Sequence, residues 1–474
     1  MAPNSHRNVR KRVEWARSCV SEEDWERRIK PRFCEETATH GDIEMLKWLR
    51  AEGCPWDAVA CANAACGGHL EALKCSKEEK LDPEGGGGMQ MGGAVEEALR
   101  VAAHEGRQLY IGTRVPELAE PPSPVEFLRE WVAPRRPCKV RGALGDWACV
   151  RDGRWADAEY LREKLGGRPV TVALTPDGRA DAVRSFAGAS SGRADACLGP
   201  SVPSELGSRA WFVLPDDQKM EISAFLDLLR AGARAEAGLG GGLVAYAQCQ
   251  NSSLLREYPE LVEDAGPDIG FASEAFGRAP DAANLWIGDA RSETSFHRDP
   301  YENILCVVEG EKTVTLLPPH EGHRCYARQY PVAEYKCDTA SGAWGVAPQE
   351  PHGAPVVWSP IDPNRPDADA FPRFFGADWP PPLKVTIRSG ELLYLPAMWW
   401  HYVQQKGGEE GGPCVSVNFW YDMAFDARAL THDLVGAVLQ AAEGSSSGRH
   451  EAAEGLEHLA AQGKSSSGLD IKDR

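Results

Sequence analysis

Between residues 123 and 423 the chain is cut into short apolar runs closed by turn residues, and this pattern constrains the fold more than any other feature. The runs are Pro169–Leu174, Leu243–Gln248, Ala283–Ile287, Ile304–Val308, Lys312–Leu317, Leu383–Ile387, Glu391–Leu395 and Val415–Trp420. Their Val, Ile, Leu and aromatic content suits strands, and Glu309-Gly310 and Ser389-Gly390 read as turns between neighbours. Helical stretches such as Ser223–Arg234 sit between the earlier runs. Many short strands with few helices predict a mainly β domain, α+β overall, built as a sandwich or barrel, the double-sheet jelly roll included.

Outside this domain the chain changes character. Gly41–Lys47 (GDIEMLK) is echoed by Gly68–Lys74 (GHLEALK), and self-similarity at such spacing marks a helical repeat array. With HGDIEMLKWLRAEGCPW before it, the segment 35–76 resembles ankyrin-type repeats. One repeat and part of a second are fewer than the roughly three that stand alone, so a degenerate fragment and a small helical cap both fit. Residues 1–34 carry a basic stretch, Arg7–Arg17, which fits a solvated helix face or a nuclear address. Residues 77–93 are charged and then Gly-rich, as a linker would be, and Ala94–Leu109 has helical periodicity. The domain proper is expected over 94–424. Within it, Pro318–Pro382 reads as a long Pro-rich loop, functional or disordered. Phe425–Ala442 reads as an amphipathic helix with Leu430, Leu434, Val438 and Leu439 on one face, and 443–474 as a disordered tail.

Composition narrows the partners. A net charge of −18 argues against non-specific nucleic-acid binding, which needs clustered Lys and Arg. Fourteen cysteines without a CxxC pair predict reduced thiols rather than a disulfide framework. With no apolar leader and no run of about 18 apolar residues, a cytoplasmic or nuclear protein that does not enter a membrane is expected.

The sharpest local feature is Thr294-Ser295-Phe296-His297-Arg298-Asp299. His297 and Asp299 are two apart, so on a strand both face one side. Two ligands on one face can bite one metal, and a third must come from elsewhere. His401, just after ELLYLPAMWW, is the best candidate. Two imidazoles and a carboxylate form the facial triad of non-haem Fe(II) oxygenases, which leaves positions open for a cosubstrate and O2. An HxD pair alone is weak evidence, and its context changes the weighing. Lys312, on the run after Asp299, offers a cation for the far carboxylate of 2-oxoglutarate. Thr294 and Tyr246 offer hydroxyls, and Asn303 and Asn418 offer amides that orient oxygen ligands.

At these residues the sequence resembles a known family. TSFHRDPYENILCVVEGEKTVTLLPP, SGELLYLPAMWWHYVQQ and VSVNFWYDM are similar to the metal-binding segments of jumonji-C (JmjC) oxygenases. RPCKVRGAL at 136–144, VTVALTPDGRADAV at 170–183, YAQCQNSSL at 246–254, FASEAFG at 271–277 and the WSPIDP run at 358–363 extend the likeness over about residues 120–425. The resemblance implies a cupin-type double-stranded β-helix with flanking helices. It implies Fe(II) at His297, Asp299 and His401. It implies 2-oxoglutarate at Lys312, supported by Thr294, Tyr246, Asn303 and Asn418. Within the family the likeness is to lysyl hydroxylases, which implies lysines of developmentally regulated GTP-binding proteins as substrates, and a homodimer with Phe425–Ala442 in its interface. The ankyrin-like start, Gly192–Pro203 and Gly407–Gly412 depart from the family pattern and leave the metal ligands untouched.

Two other functions compete with protein lysyl hydroxylation. A histone-lysine demethylase would use the same site, although chromatin-reading zinc modules would show paired CxxC spacings that this chain lacks. A non-catalytic binding protein, a cupin with an ankyrin-like docking segment, would be expected to have lost a metal ligand.

Overall fold

Each of the apolar runs contains a strand in the computed structural model, which describes residues 87–186, 210–236, 243–338, 343–349, 354–408, 412–431 and 435–436. The chain divides into two units. Ala103–His432 is the one characterised below. Of the other, Met1–Ala102 with Asp433–Arg474, only 87–102 and 435–436 are described.

The framework is a pair of sheets. In chain order its strands are β1 (Ala282–Gly288), β2 (Glu293–His297), β3 (Tyr301–Glu309), β4 (Glu311–Leu317), β5 (Leu383–Arg388), β6 (Leu392–Leu395), β7 (Trp400–Lys406) and β8 (Cys414–Asp422). One sheet runs β6-β3-β8-β1 and is extended beyond β6 by Cys138–Val140 and Glu117–Leu118. The other runs β5-β4-β7-β2 and ends on Arg179–Ala180. The eight strands pair antiparallel within each sheet. The chain passes back and forth between sheets, which is the double-stranded β-helix expected from the sequence. Gly310 (φ 75°) makes the β3–β4 turn. A Cβ there would lie 2.4 Å from the Lys406 carbonyl oxygen, so both conformation and space require glycine.

Alternation along these strands decides what lines the interior. Ile304, Cys306 and Val308 of β3 join the cluster that includes Phe127, Trp155, Phe225 and Tyr258 from the elements preceding β1. Leu305 and Val307 face the other way, against Val314 and Leu316 of β4 and Val385 and Ile387 of β5. Burial on both faces explains why β3 reads as an unbroken apolar run. A fully buried Leu, Ile or Val contributes about 1.5–3 kcal/mol, so a one-residue slip that turned these faces over would be costly. The same register turns Asn303 and Asn418 inward, because they lie two residues from Leu305 and one from Val417 on strands whose faces are thus assigned.

Several expectations change here. The segment 318–382 is no structureless loop. It holds the 3-10 helix Pro319–Cys325, the strands Arg328–Tyr330, Val332–Asp338, Ala343–Pro348 and Val356–Trp358, and the helix Pro372–Phe375. Val332–Asp338 pairs in parallel with Ala210–Leu214, a long-range partner that local composition does not reveal. The helix expected over Ala94–Leu109 is observed as Gly87–Gly106 followed by a π-helical turn, Arg107–Ile111. It therefore takes in the last part of the linker expected over 77–93, since each added residue of a formed helix gains a hydrogen bond that offsets the glycine penalty of about 1 kcal/mol. The C-terminal helix begins at 427 rather than 425, because Asp426 Oδ1 caps the backbone N–H groups of Arg428 (3.0 Å) and Ala429 (3.2 Å). Phe425 and Leu430 are exposed. The 1–34 segment, the 35–76 repeats, Gly192–Pro203, the end of the C-terminal helix and the 443–474 tail lie outside the described residues. All seven described cysteines are free thiols, five of them buried. Among the described residues no helix is long and apolar enough to cross a membrane.

Candidate active site

His297 closes β2, and its direct partner across the β2–β7 ladder is His401. The two rings lie 4.1 Å apart, centroid to centroid. Asp299 sits just beyond the end of β2, not on it, and its carbonyl accepts a 2.8 Å hydrogen bond from the backbone N–H of Met398. Met398 itself adopts a left-handed conformation (φ 66°) in the turn that leads into β7. The turn before one histidine thus holds the loop after the other. Asp299 Oδ2 lies 3.6 Å from His297 Nε2 and 3.7 Å from His401 Nε2.

The donor set fits a cation. His297 Nδ1 donates to the Ser295 carbonyl (2.7 Å) and His401 Nδ1 to the Trp399 carbonyl (3.0 Å). A proton held at Nδ1 leaves the Nε2 lone pair of each ring for a metal. The three ligand atoms lie within 4.8 Å of one another. Burial, then the neighbouring His297, hold His401 down to about 4. Burial also pushes His297 down, but Asp299 and the Ser295 carbonyl outweigh it and raise that imidazole. Burial raises the Asp299 carboxyl, and the two imidazoles more than reverse the effect. The trio therefore carries a carboxylate and at least one neutral imidazole at neutral pH.

Thr294 reaches the same cavity only through an irregularity. Its partner on β7 is Val403, whereas that of His297 is His401, so β2 carries one extra residue between them. Such a bulge brings residues three apart onto one face. The cavity is lined by all the residues singled out from the sequence: Tyr246, Thr294, His297, Asp299, Asn303, Lys312, His401 and Asn418. Lys312 is 3% exposed, and Nζ donates a 3.0 Å hydrogen bond to the Tyr246 hydroxyl. Asn418 Nδ2 donates to Asn303 Oδ1 (3.2 Å), which leaves the Asn303 amide N–H groups for a ligand.

Two tryptophans complete the site and were not anticipated. Trp286 Nε1 donates to Asn418 Oδ1 (2.7 Å), and its ring lies 5.7 Å from Lys312 Nζ. Trp358 stacks on the His297 imidazole at 5.4 Å with an interplanar angle of 5°, and its Nε1 donates to Ser295 Oγ (2.8 Å). The alternation of β1 offered a signal for Trp286, two residues from Asn284. Trp358 opens the WSPIDP run that belongs to the family likeness, but no contact with the metal site was read for it, and a separate segment delivers it. That segment is fastened by Arg179, whose guanidinium bridges Glu293 of β2 (3.3 Å) and Asp362 (2.8 Å).

Comparison with known proteins agrees with this geometry. The family described as "Cupin-like domain" matches residues 124–427. The chain is 37% identical to the human "Bifunctional peptidase and (3S)-lysyl hydroxylase JMJD7", over 73% of this chain and 96% of that protein. It is 38% identical to the Arabidopsis thaliana "Lysine-specific demethylase JMJ32", over 71% of this chain and 89% of that protein. It is 31% identical to "JmjC domain-containing protein E" of Dictyostelium discoideum, over 65% and 84%. Two inward imidazoles and a carboxylate on a double-stranded β-helix, matched along most of the length of these relatives, place the chain in the cupin-like JmjC oxygenase family.

Proposed function

We propose that this chain is an Fe(II)- and 2-oxoglutarate-dependent dioxygenase that hydroxylates a lysine side chain of a protein. The observation that carries the reading is Lys312. A buried ammonium is costly without an anion, and among the described residues no carboxylate is paired with this one. It lies in the same cavity as the triad, where a dicarboxylic keto acid has one end for the metal and the other for the ammonium. His297, Asp299 and His401 would hold Fe(II), which when bound would supply the O2 chemistry that couples oxidation of 2-oxoglutarate to succinate and CO2 with oxidation of a substrate C–H bond. The chain's own residues position the reactants. Lys312 and Tyr246 receive the far carboxylate, Thr294 offers a hydroxyl beside it, and Asn303 donates to an oxygen ligand. Trp286 and Asn418 hold Asn303 in place.

Lysine as the target rests on the 37% identical relative and on the local resemblance to lysyl hydroxylases, which also makes GTP-binding proteins the first substrates to try. Demethylation is the second reading, favoured by the 38% identical relative named for that activity. Mass spectrometry of lysine peptides from GTP-binding proteins, after incubation with Fe(II), 2-oxoglutarate and O2, separates the two. Addition of one oxygen is expected. Loss of methyl groups from methylated peptides, with no oxygen retained, would replace this reading with the second. His297→Ala and Asp299→Ala should abolish both succinate formation and metal binding while leaving circular dichroism unchanged, and wild-type turnover in either would overturn the metal site.

A further inference from the structure

An acid stands on the core-facing side of β3. Glu302 lies two residues before Ile304, and its partner across the β3–β8 ladder is Tyr421. Its side chain therefore falls on the face whose other members, Ile304, Cys306 and Val308, join the apolar cluster. It is 7% exposed and points away from the metal cavity, which the next residue, Asn303, lines. A carboxylate in such a place is costly unless its oxygens are paired, and the proposed chemistry makes no use of it.

Its partners show what the acid holds. Glu302 Oε2 accepts a 2.7 Å hydrogen bond from the Tyr394 hydroxyl and a 3.2 Å bond from the backbone N–H of Ala397. Tyr394 is fully buried on β6, edge-on to Phe127 at 4.9 Å, so the hydroxyl that orients the carboxylate is itself fixed. The Arg135 and Arg428 guanidiniums favour the charged form. Ala397 and Met398 form the turn between β6 and β7. Their successive N–H groups both donate to the stretch Asp299–Glu302, Ala397 to the Glu302 side chain and Met398 to the Asp299 carbonyl (2.8 Å). Met398 is left-handed (φ 66°), which is strained for a residue with a side chain. The next residue, Trp399, supplies the carbonyl that receives His401 Nδ1 (3.0 Å).

We propose that Glu302 is a positioning residue of the metal site, which holds the Ala397–Met398 turn against the Asp299–Glu302 stretch and so brings the Asp299 carboxylate and the His401 imidazole to one point. The assignment rests on the metal-site reading above. One link, from Met398 to the Asp299 carbonyl, leaves the turn free to pivot. The second, from Ala397 to a side chain three residues further on, fixes its orientation. Release of the Ala397 N–H lets the strained turn relax, and the Trp399 carbonyl that sets the His401 tautomer moves with it.

The test titrates the full chain, freed of metal, with Co(II), and reads affinity by calorimetry and ligand geometry by the visible spectrum. Both are measured well below each variant's melting temperature, so a loss of global stability alone leaves them at wild-type values. Glu302→Leu suits the apolar face but leaves the Ala397 N–H unpaired. It should weaken Co(II) by about 10- to 100-fold, the range for losing an outer partner of a metal ligand, and shift the Co(II) bands. Glu302→Gln keeps an acceptor oxygen in the same place and should return affinity to within about three-fold of wild type. Tyr394→Phe removes only the hydroxyl that orients the carboxylate, should weaken Co(II) about three- to ten-fold, and decides the matter where Glu302→Leu does not fold. Wild-type affinity and spectrum in folded Glu302→Leu, or in Tyr394→Phe in its place, overturn the assignment. Failure of the metal-site reading shows separately, as Co(II) binding that His297→Ala leaves unchanged.

Discussion

Lys312 Nζ and Tyr246 Oη meet at 3.0 Å inside the cavity, a buried ammonium whose hydrogen-bond partner among the described residues is a neutral phenol. The pair comes from different sheets. Lys312 belongs to β4, whereas Tyr246 ends Val244–Tyr246 of the three-stranded sheet. Lys312→Ala should raise the apparent KM for 2-oxoglutarate about 30-fold or more, since truncating one side of a buried charge pair costs roughly 2–5 kcal/mol. Tyr246→Phe removes one hydrogen bond and should raise it only about five-fold, as expected for roughly 1 kcal/mol. Steady-state succinate assays measure both. An unchanged constant in Lys312→Ala would assign the far carboxylate to another cation.

Trp358 should act through His297. Its ring stacks on the imidazole and its Nε1 holds Ser295 Oγ, next to the carbonyl that fixes the imidazole tautomer. Loss of such an outer partner costs about 10- to 100-fold in metal affinity. Trp358→Ala should therefore weaken Co(II) binding in calorimetry and shift the Co(II) visible spectrum. Trp358→Phe, which keeps the stack but loses the hydrogen bond, should lie between. Wild-type affinity in Trp358→Ala would make the stack incidental.

His323 predicts acid sensitivity. It packs 5.4 Å from the Trp379 ring. Burial, then the guanidiniums of Arg373 and Arg324, hold it down to about 3 from the usual 6.5. The unfolded chain then takes up a proton below pH 6.5 that the folded chain refuses. Stability should be fully present above pH 6.5 and fall as the pH drops toward 3. His323→Phe should make the fall in guanidinium midpoint between pH 7 and pH 4 shallower. A parallel profile would show that other groups govern acid unfolding, and His401, held down to about 4, would be the next to replace.

Leu430 and Phe425 are 66% and 69% exposed, so a charge at Leu430 does not enter the barrel core. Leu430→Asp should leave the melting temperature nearly unchanged, as surface substitutions do, within about 0.5 kcal/mol. If this face serves the homodimer proposed from the family resemblance, sedimentation equilibrium should find a wild-type dimer and a Leu430→Asp monomer. A wild-type monomer at micromolar concentration would end that proposal. Leu434, on the same proposed face, lies outside the described residues.

The strands of the double-stranded β-helix were legible because their causes are local. Alternating or continuous Val, Ile and Leu between turns suffices to mark β1, β3–β6 and β8, and Gly310 and Gly390 (φ 75° and 84°) fall at the turns read from Glu309-Gly310 and Ser389-Gly390. His297 and Asp299 were legible as a pair because two positions of chain keep them close in any conformation, although Asp299 proved to follow the strand rather than share it. The strands of 318–382 were hidden, since Pro-rich composition reports the turns and not the distant partners that draw the intervening residues into sheets.

The rest depended on contacts between segments far apart in the chain. His401 meets His297 because β7 pairs with β2 in one register, and buried faces on both sides of the framework make a slip costly. Thr294 joins them because a bulge shifts that register by one residue, which alternation alone would have placed on the opposite face. Trp358 arrives on a segment far along the chain from His297, and its stack on that imidazole is set by tertiary packing. Residue types and spacing set which atoms were able to bind a cation or a dicarboxylate. Hydrogen-bonded register and inter-sheet packing chose which of those atoms face one another, because the free energy of a pairing resides in both strands at once and neither contains it alone.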